Sequence, residues 1–192
     1  MKEISLYVLD ITQNSVAAGA AGLDLSLTES GGTLTVVLRD DGRGMEPAFL
    51  AAVTDPFTTT RTTRKVGLGL PLLRLATEQT GGSLAIESSP GAGTTVTALF
   101  RTDSIDCPPL GDMPEAMALL IQGAPHMEIR YTHSRAGETV RFDTREIREI
   151  LGPNIPLSEP EVALWIRDHL RELEDSLPSA APGQDENKEW KL

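Results

Sequence analysis

The chain has one cysteine, three histidines and eight aromatic residues among 192. A lone Cys107 cannot close an internal disulfide, and one Cys with three scattered His offers no zinc-ligand spacing. At 192 residues no such staple is needed, because a chain of this length buries enough apolar surface for one domain with an appendage or for two small ones. With so few aromatics the core must be aliphatic. Basic residues are also scarce: 17 Lys and Arg against 28 Asp and Glu leave a net charge of −11. That balance disfavours a general nucleic-acid binder, whose affinity comes from neutralising phosphates. No apolar run approaches the roughly 18 to 20 residues of a membrane span, so no membrane partner is expected. The first residues carry Glu3 and Asp10 and lack a basic start and a small-residue cleavage site, so no secretory leader is expected. These absences predict a soluble protein of the reducing cytoplasm.

Charge is spread unevenly. Residues 1–100 carry a net −3 and residues 101–192 a net −8. Around residues 102–113, Cys107-Pro108-Pro109 and Gly111 interrupt regular structure, which predicts a linker between a unit at 1–101 and a smaller α+β region at 114–178. Residues 179–192 have little to bury and are expected to be disordered. In the first unit the pattern predicts a helix over 5–20 and a hairpin over 23–38 turning at Gly31-Gly32. A short helix over 47–53 and a Thr-rich loop over 55–66 follow. A helix over 68–80 and a hairpin over 83–100 turning at Pro90-Gly91 complete the unit. The second unit reads as helix 114–122, strands 127–131 and 139–142, and helices 144–151 and 159–177, with no chemical signature in it.

Three short segments carry chemistry. Asp10 and Asn14 stand four apart on the first helix and share a face, pairing a carboxylate suited to general-base work with an amide oxygen suited to Mg²⁺. Asp40-Asp41-Gly42-Arg43-Gly44-Met45 leaves a strand for a glycine turn, where Asp40 can accept a hydrogen bond from an exocyclic amine. Gly42 and Gly44 let backbone approach a flat ring. Gly67-Leu68-Gly69-Leu70 opens a helix behind a loop bearing Arg61, Arg64 and Lys65, and exposed N–H groups at such a terminus favour phosphate oxygens. Each alone also has a plain reading, as a polar helix face, a turn or a loop-to-helix junction. The three histidines read as ordinary: His169 lies on a helix, and His126 and His133 flank a strand.

Taken in order, the segments resemble the GHKL ATPases, which include histidine kinases, anti-sigma-factor serine kinases, DNA gyrase, MutL-type repair proteins and an ATP-dependent heat-shock chaperone. Residues 9–15 resemble the N box, 40–45 the G1 box, 55–59 the F box, 67–70 the G2 box, and 89–94 the closing glycine-threonine turn. The resemblance implies a Bergerat fold, a two-layer sandwich of a mixed sheet backed by helices, here with a small C-terminal α+β appendage. It implies ATP and Mg²⁺ as cofactors, with Asp10 catalytic, Asn14 on the metal, Asp40 on the adenine amine and Thr94 assisting through water. Gly67, Leu68, Gly69 and Leu70 would hold the phosphates, and Gly42, Gly44, Met45, Thr59 and Lys65 would also bind the nucleotide. The motif spacing resembles the kinase branch, while residues 14–20 are closer to the MutL type. Two departures stand out: Asp10 replaces the usual Glu, one methylene longer, and Ala17 stands where kinases often carry Lys. Only nine residues precede Asp10, so a module lacking the phosphoacceptor dimerisation domain of sensor kinases is expected. The expected function is an Mg-ATP-binding regulatory protein that phosphorylates a protein partner in trans, with the acidic C-terminal region as partner surface. The alternatives are a nucleotide-gated binding module and a slow ATPase, with homodimerisation open.

Overall fold

The computed structural model describes residues 3–53 and 69–179. In chain order they form α1 (Ile4–Ala17), β1 (Gly22–Ser30), β2 (Thr33–Asp40), α2 (Pro47–Leu50), α3 (Gly69–Gln79), β3 (Ser83–Ser89), β4 (Gly93–Arg101), α4 (Met113–Gly123), β5 (Glu128–Arg135), β6 (Glu138–Asp143), α5 (Thr144–Leu151) and α6 (Pro160–Ser176). The expected disordered tail, apart from Ser179, and the Thr-rich loop with its F box lie outside the described residues.

Strict alternation builds the sheet. In β1 the residues Leu23, Leu25 and Leu27 point to one face, and in β2 Leu34, Val36 and Leu38 do so, while the intervening positions, polar except for Val37, point to the other. Register then stacks the apolar set in rows: Leu25 lies opposite Leu38 on one side and Tyr131 on the other, and Leu38 lies opposite Val96. The opposite face is mostly polar and includes the Asp24–Arg130 ion pair. A one-residue slip of β2 would turn all three apolar side chains outward, so burial pins the register. Helices α1, α3, α4 and α6 cover the apolar face and share one core with it.

The six strands run in the order β3-β4-β2-β1-β5-β6, antiparallel throughout except for the parallel pair β1 and β5. This mixed sheet backed by helices is the expected α+β sandwich, and the strands after residue 113 extend the same sheet. The stretch joining β4 to α4 is tied to the first helix. Ile4 and Ser5 donate backbone N–H bonds to the carbonyls of Pro109 and Leu110 at 2.9 and 2.8 Å, satisfying N-terminal donors of α1 that have no partner within the helix.

A buried polar cluster fastens α6 to the sheet. His133 is fully buried, with Nδ1 2.7 Å from Glu174 Oε2 and Nε2 3.0 Å from Glu29 Oε1. Both ring nitrogens thus face a carboxylate oxygen, one from β1 and one from α6. Tyr131 donates its hydroxyl to Glu174 at 2.6 Å, and Arg135 donates to Glu29 at 2.7 Å. Burial pushes the Glu174 carboxyl up, but the hydrogen bonds from His133 and Tyr131 outweigh it and hold the group below its ordinary value.

Candidate functional site

The alternation that buries Leu34, Val36 and Leu38 also turns Asp40, the last residue of β2, toward the helices. It is 6% exposed, in a row with Leu23 and Thr94. Its carboxylate is held from two sides: Ser15 donates its hydroxyl to Oδ2 at 2.6 Å, and the Gly42 N–H donates to Oδ1 at 2.9 Å. A carboxylate offers about four acceptor positions, so two of them remain for a ligand. Asp40 lines a cavity of about 390 Å³ between α1, the sheet end and α2. Ile11, Leu38 and Val96 give the cavity an apolar wall, and Met45 and Phe49 line it from the α2 side. A large apolar space with a few converging polar groups has the form of a small-molecule site.

The glycine turn is set by close contacts. Gly44 has φ +69°, and a Cβ there would lie 1.9 Å from the Ser89 carbonyl oxygen. The Arg43 N–H donates to Ala18 O at 3.1 Å, and Arg43 O accepts from Gly91 N–H at 2.8 Å, so the turn is pinned between the end of α1 and the β3–β4 turn. Asp41 faces away from the cavity, accepting the Ala21 and Gly22 N–H groups at 2.8 Å each. Ser88 joins the turn to Thr94: its hydroxyl donates to Gly93 O at 2.8 Å and accepts from Met45 N–H at 3.0 Å. With its one proton so used, Ser88 receives the Thr94 hydroxyl proton at 3.0 Å, and the Thr94 oxygen keeps acceptor capacity toward the cavity.

At the other end, Asp10 and Asn14 lie one turn apart on α1, both exposed, with Asn14 on the cavity wall. Gly69 opens α3 directly against Asp10: a Cβ at 69 would lie 2.2 Å from Asp10 Oδ2. Leu70 follows on the cavity wall. The carboxylate of Asp10 and the N-terminus of α3, where an anion is favoured, thus adjoin. Asn14, Asp40, Gly44, Met45, Leu70 and Thr94 meet at one cavity, Gly42 sits directly behind Asp40, and Asp10 and Gly69 meet at its edge. Thr59, Lys65, Gly67 and Leu68 lie outside the described residues. Among the described residues no group of three or more His, Cys, Asp and Glu could hold a metal. A single amide oxygen at Asn14 fits Mg²⁺, which takes few protein ligands and completes its shell with phosphates and water. Sequence reasoning missed Ser15 and Ser88. The helical spacing of Ile11, Ser15 and Ala18, which puts all three on the cavity side, was the signal for the first.

Comparison with known proteins agrees with this geometry. Residues 2–104 match the family described as histidine kinase-, DNA gyrase B-, and HSP90-like ATPase. The histidine protein kinase DivJ of Caulobacter vibrioides is 34% identical over 101 residues, covering 50% of this chain and 17% of that protein. The C4-dicarboxylate transport sensor protein DctS of Rhodobacter capsulatus is 32% identical over 100 residues, covering 49% and 15%, and the sensor histidine kinase ZraS of Escherichia coli is 32% identical over 96, covering 49% and 20%. The chain thus matches at most a fifth of the length of these relatives. The crystal structure of the N-terminal domain of a DNA repair protein superposes with a TM-score of 0.50 over 73% of this chain and 52% of that one, at 14% identity, a likeness of fold. With the family matched over more than half of its length, the chain belongs to the histidine kinase-, DNA gyrase B- and HSP90-like ATPases.

Proposed function

We propose that this chain binds Mg-ATP in the cavity at the end of β2 and passes the γ-phosphate to a protein partner in trans. The observation that carries the reading is the buried Asp40 carboxylate, held by Ser15 and Gly42 with acceptor capacity turned to a largely apolar cavity of about 390 Å³. That arrangement selects a flat apolar ring bearing one amine, as adenine does, and rejects a carbonyl at the same position. From Asp40 the nucleotide runs along α1 toward Asn14 and the start of α3, where helix N–H groups favour phosphate. Bound there, Mg²⁺ would neutralise phosphate charge, with Asn14 as its protein ligand.

In this reading Asp10 would accept the acceptor's proton as the γ-phosphorus forms its bond to the partner oxygen or nitrogen and the β–γ bridge breaks to release ADP. Positioning and charge neutralisation supply most of such a transfer. Asp10 is one methylene shorter than the Glu common in the family, which favours a second reading: nucleotide binding gates partner binding without transfer. The module works where ATP is supplied, which points to the cytoplasm. No helix among the described residues is long and apolar enough to cross a membrane. The partner surface is assigned to the C-terminal half, where Ile150, Leu164 and Trp165 are exposed on α5 and α6.

The test is incubation with Mg²⁺ and ATP labelled on the γ-phosphate, with Asp40→Ala as control and candidate partners added in turn. Label on a partner, lost in the control, supports transfer. ATP-dependent complex formation without label supports the gate, and failure of ATP to bind rejects both.

A further inference from the structure

The position of Arg43 is the least expected feature of the cavity. Its backbone is fixed on both sides, by Ala18 O and by Gly91 N–H, and its residue lines the cavity while the side chain is exposed. In a chain of net charge −11, this guanidinium forms no ion pair among the described residues, as is also the case for Arg39, Arg141 and Arg148, but of these four only Arg43 lines the cavity. An unneutralised cation on a ligand cavity calls for a ligand contact, either a phosphate or a π-face.

Helix α1 serves as a ruler that separates the two. Asp10 adjoins Gly69 at the start of α3, Ser15 bonds Asp40, and Ala18 bonds Arg43. At 1.5 Å per residue, Asp10 and Ala18 are about 12 Å apart along the axis. Arg43 therefore lies at the Asp40 end of the cavity and on the far side of Asp40 from α3. The neighbouring wall carries the apolar Met45 and Phe49 and the carboxylate residue Glu46, which is not ion-paired with Arg43 and would repel a phosphate rather than a base.

We propose that Arg43 is a base-contacting residue, its guanidinium lying against the exposed face of the purine that Asp40 engages by its amine edge. The inference rests on the nucleotide reading above and adds the group that covers the base. A planar, delocalised, weakly hydrated guanidinium stacks on a ring face, which a lysine ammonium does not reproduce. The contact stabilises the base and is indifferent to the number of phosphates.

Calorimetric titration of the full chain with adenosine, ADP and ATP tests this, on wild type, Arg43→Ala and Arg43→Lys, with Asp40→Ala as reference and thermal unfolding to verify folding. Arg43→Ala should weaken all three ligands by a common factor of about three to ten, the range of an exposed to partly desolvated cation–π contact. Arg43→Lys should fall near Arg43→Ala. A loss confined to ATP and ADP, with adenosine unchanged, would make Arg43 a phosphate ligand and overturn the assignment, as would equal affinities in all the Arg43 variants and wild type. Wild-type protein that binds none of the three would instead overturn the nucleotide reading, and the Arg43 assignment with it.

Discussion

Replacing Asp40 by Ala removes a charged acceptor that is 6% exposed and holds two protein donors. Two separate effects follow. A hydrogen bond to a charged group contributes about 1.5–3 kcal/mol, so loss of the adenine contact should weaken ATP by roughly 10- to 150-fold. The Gly42 N–H loses its acceptor as well, and leaving a buried donor unsatisfied costs about 1–3 kcal/mol of folding stability. Asp40→Asn separates charge from shape, because it keeps the volume and one acceptor oxygen. If that oxygen faces the Gly42 N–H, the new amine faces Ser15 and the base amine, donor against donor once the Ser15 hydroxyl keeps its orientation. Both variants should therefore lose ATP affinity, with Asp40→Asn the more stable of the two. Titration calorimetry and thermal unfolding measure the two effects independently. An ATP affinity within twofold of wild type in folded Asp40→Ala would refute the adenine assignment.

Three further outcomes are expected. Asn14→Ala should abolish the Mg²⁺ dependence of ATP binding while leaving adenosine affinity within about twofold, as seen by titrating ATP with and without the metal; an unchanged metal titration would remove Asn14 from the site. Gly44→Ala should destabilise the protein by about 2–4 kcal/mol in denaturant melts, since a Cβ would meet the Ser89 carbonyl at 1.9 Å in a left-handed backbone; a loss under 1 kcal/mol would contradict that geometry. The Glu174 carboxyl is held below its ordinary value of 4.5, so its stabilisation is complete above that pH and is lost as pH falls through the lower folded value. The melting temperatures of wild type and Glu174→Gln should therefore differ at pH 7 and converge as pH falls through the lowered folded value, and a constant gap would contradict the paired state of this group.

What the sequence made legible follows the range of the interactions involved. The helix carrying Asp10 and Asn14, both hairpins and the glycine turn at Gly42 and Gly44 are visible because alternation, helical spacing and turn residues act within a few positions. Boundaries moved by a few residues: the first helix ends at Ala17, not at 20, since Gly19 takes φ +74°, and the short helix covers only Pro47–Leu50. The continuity of the sheet was not legible. It depends on parallel pairing of Leu23 with Ile129, 106 positions apart, and two apolar strands advertise no partner at that distance. Nor was the burial of His133, which reads as an ordinary strand residue until Glu29 and Glu174 are brought to its two ring nitrogens from β1 and α6. At the site, Asp40 was legible through its glycines, whereas the serines that position it and Thr94 were not, because serine hydroxyls occur on helix and strand surfaces for many reasons.

The central claim is that one cavity, between α1 and the end of β2, takes the nucleotide. Backbone amide chemical-shift mapping of the full chain during titration with Mg-ATP tests it most directly. The account predicts saturable shifts at Asn14, Ser15, Asp40 to Met45, Leu70 and Thr94, absent from Asp40→Ala. Saturating Mg-ATP that leaves these amides unmoved, or moves only those of α5 and α6, would contradict it.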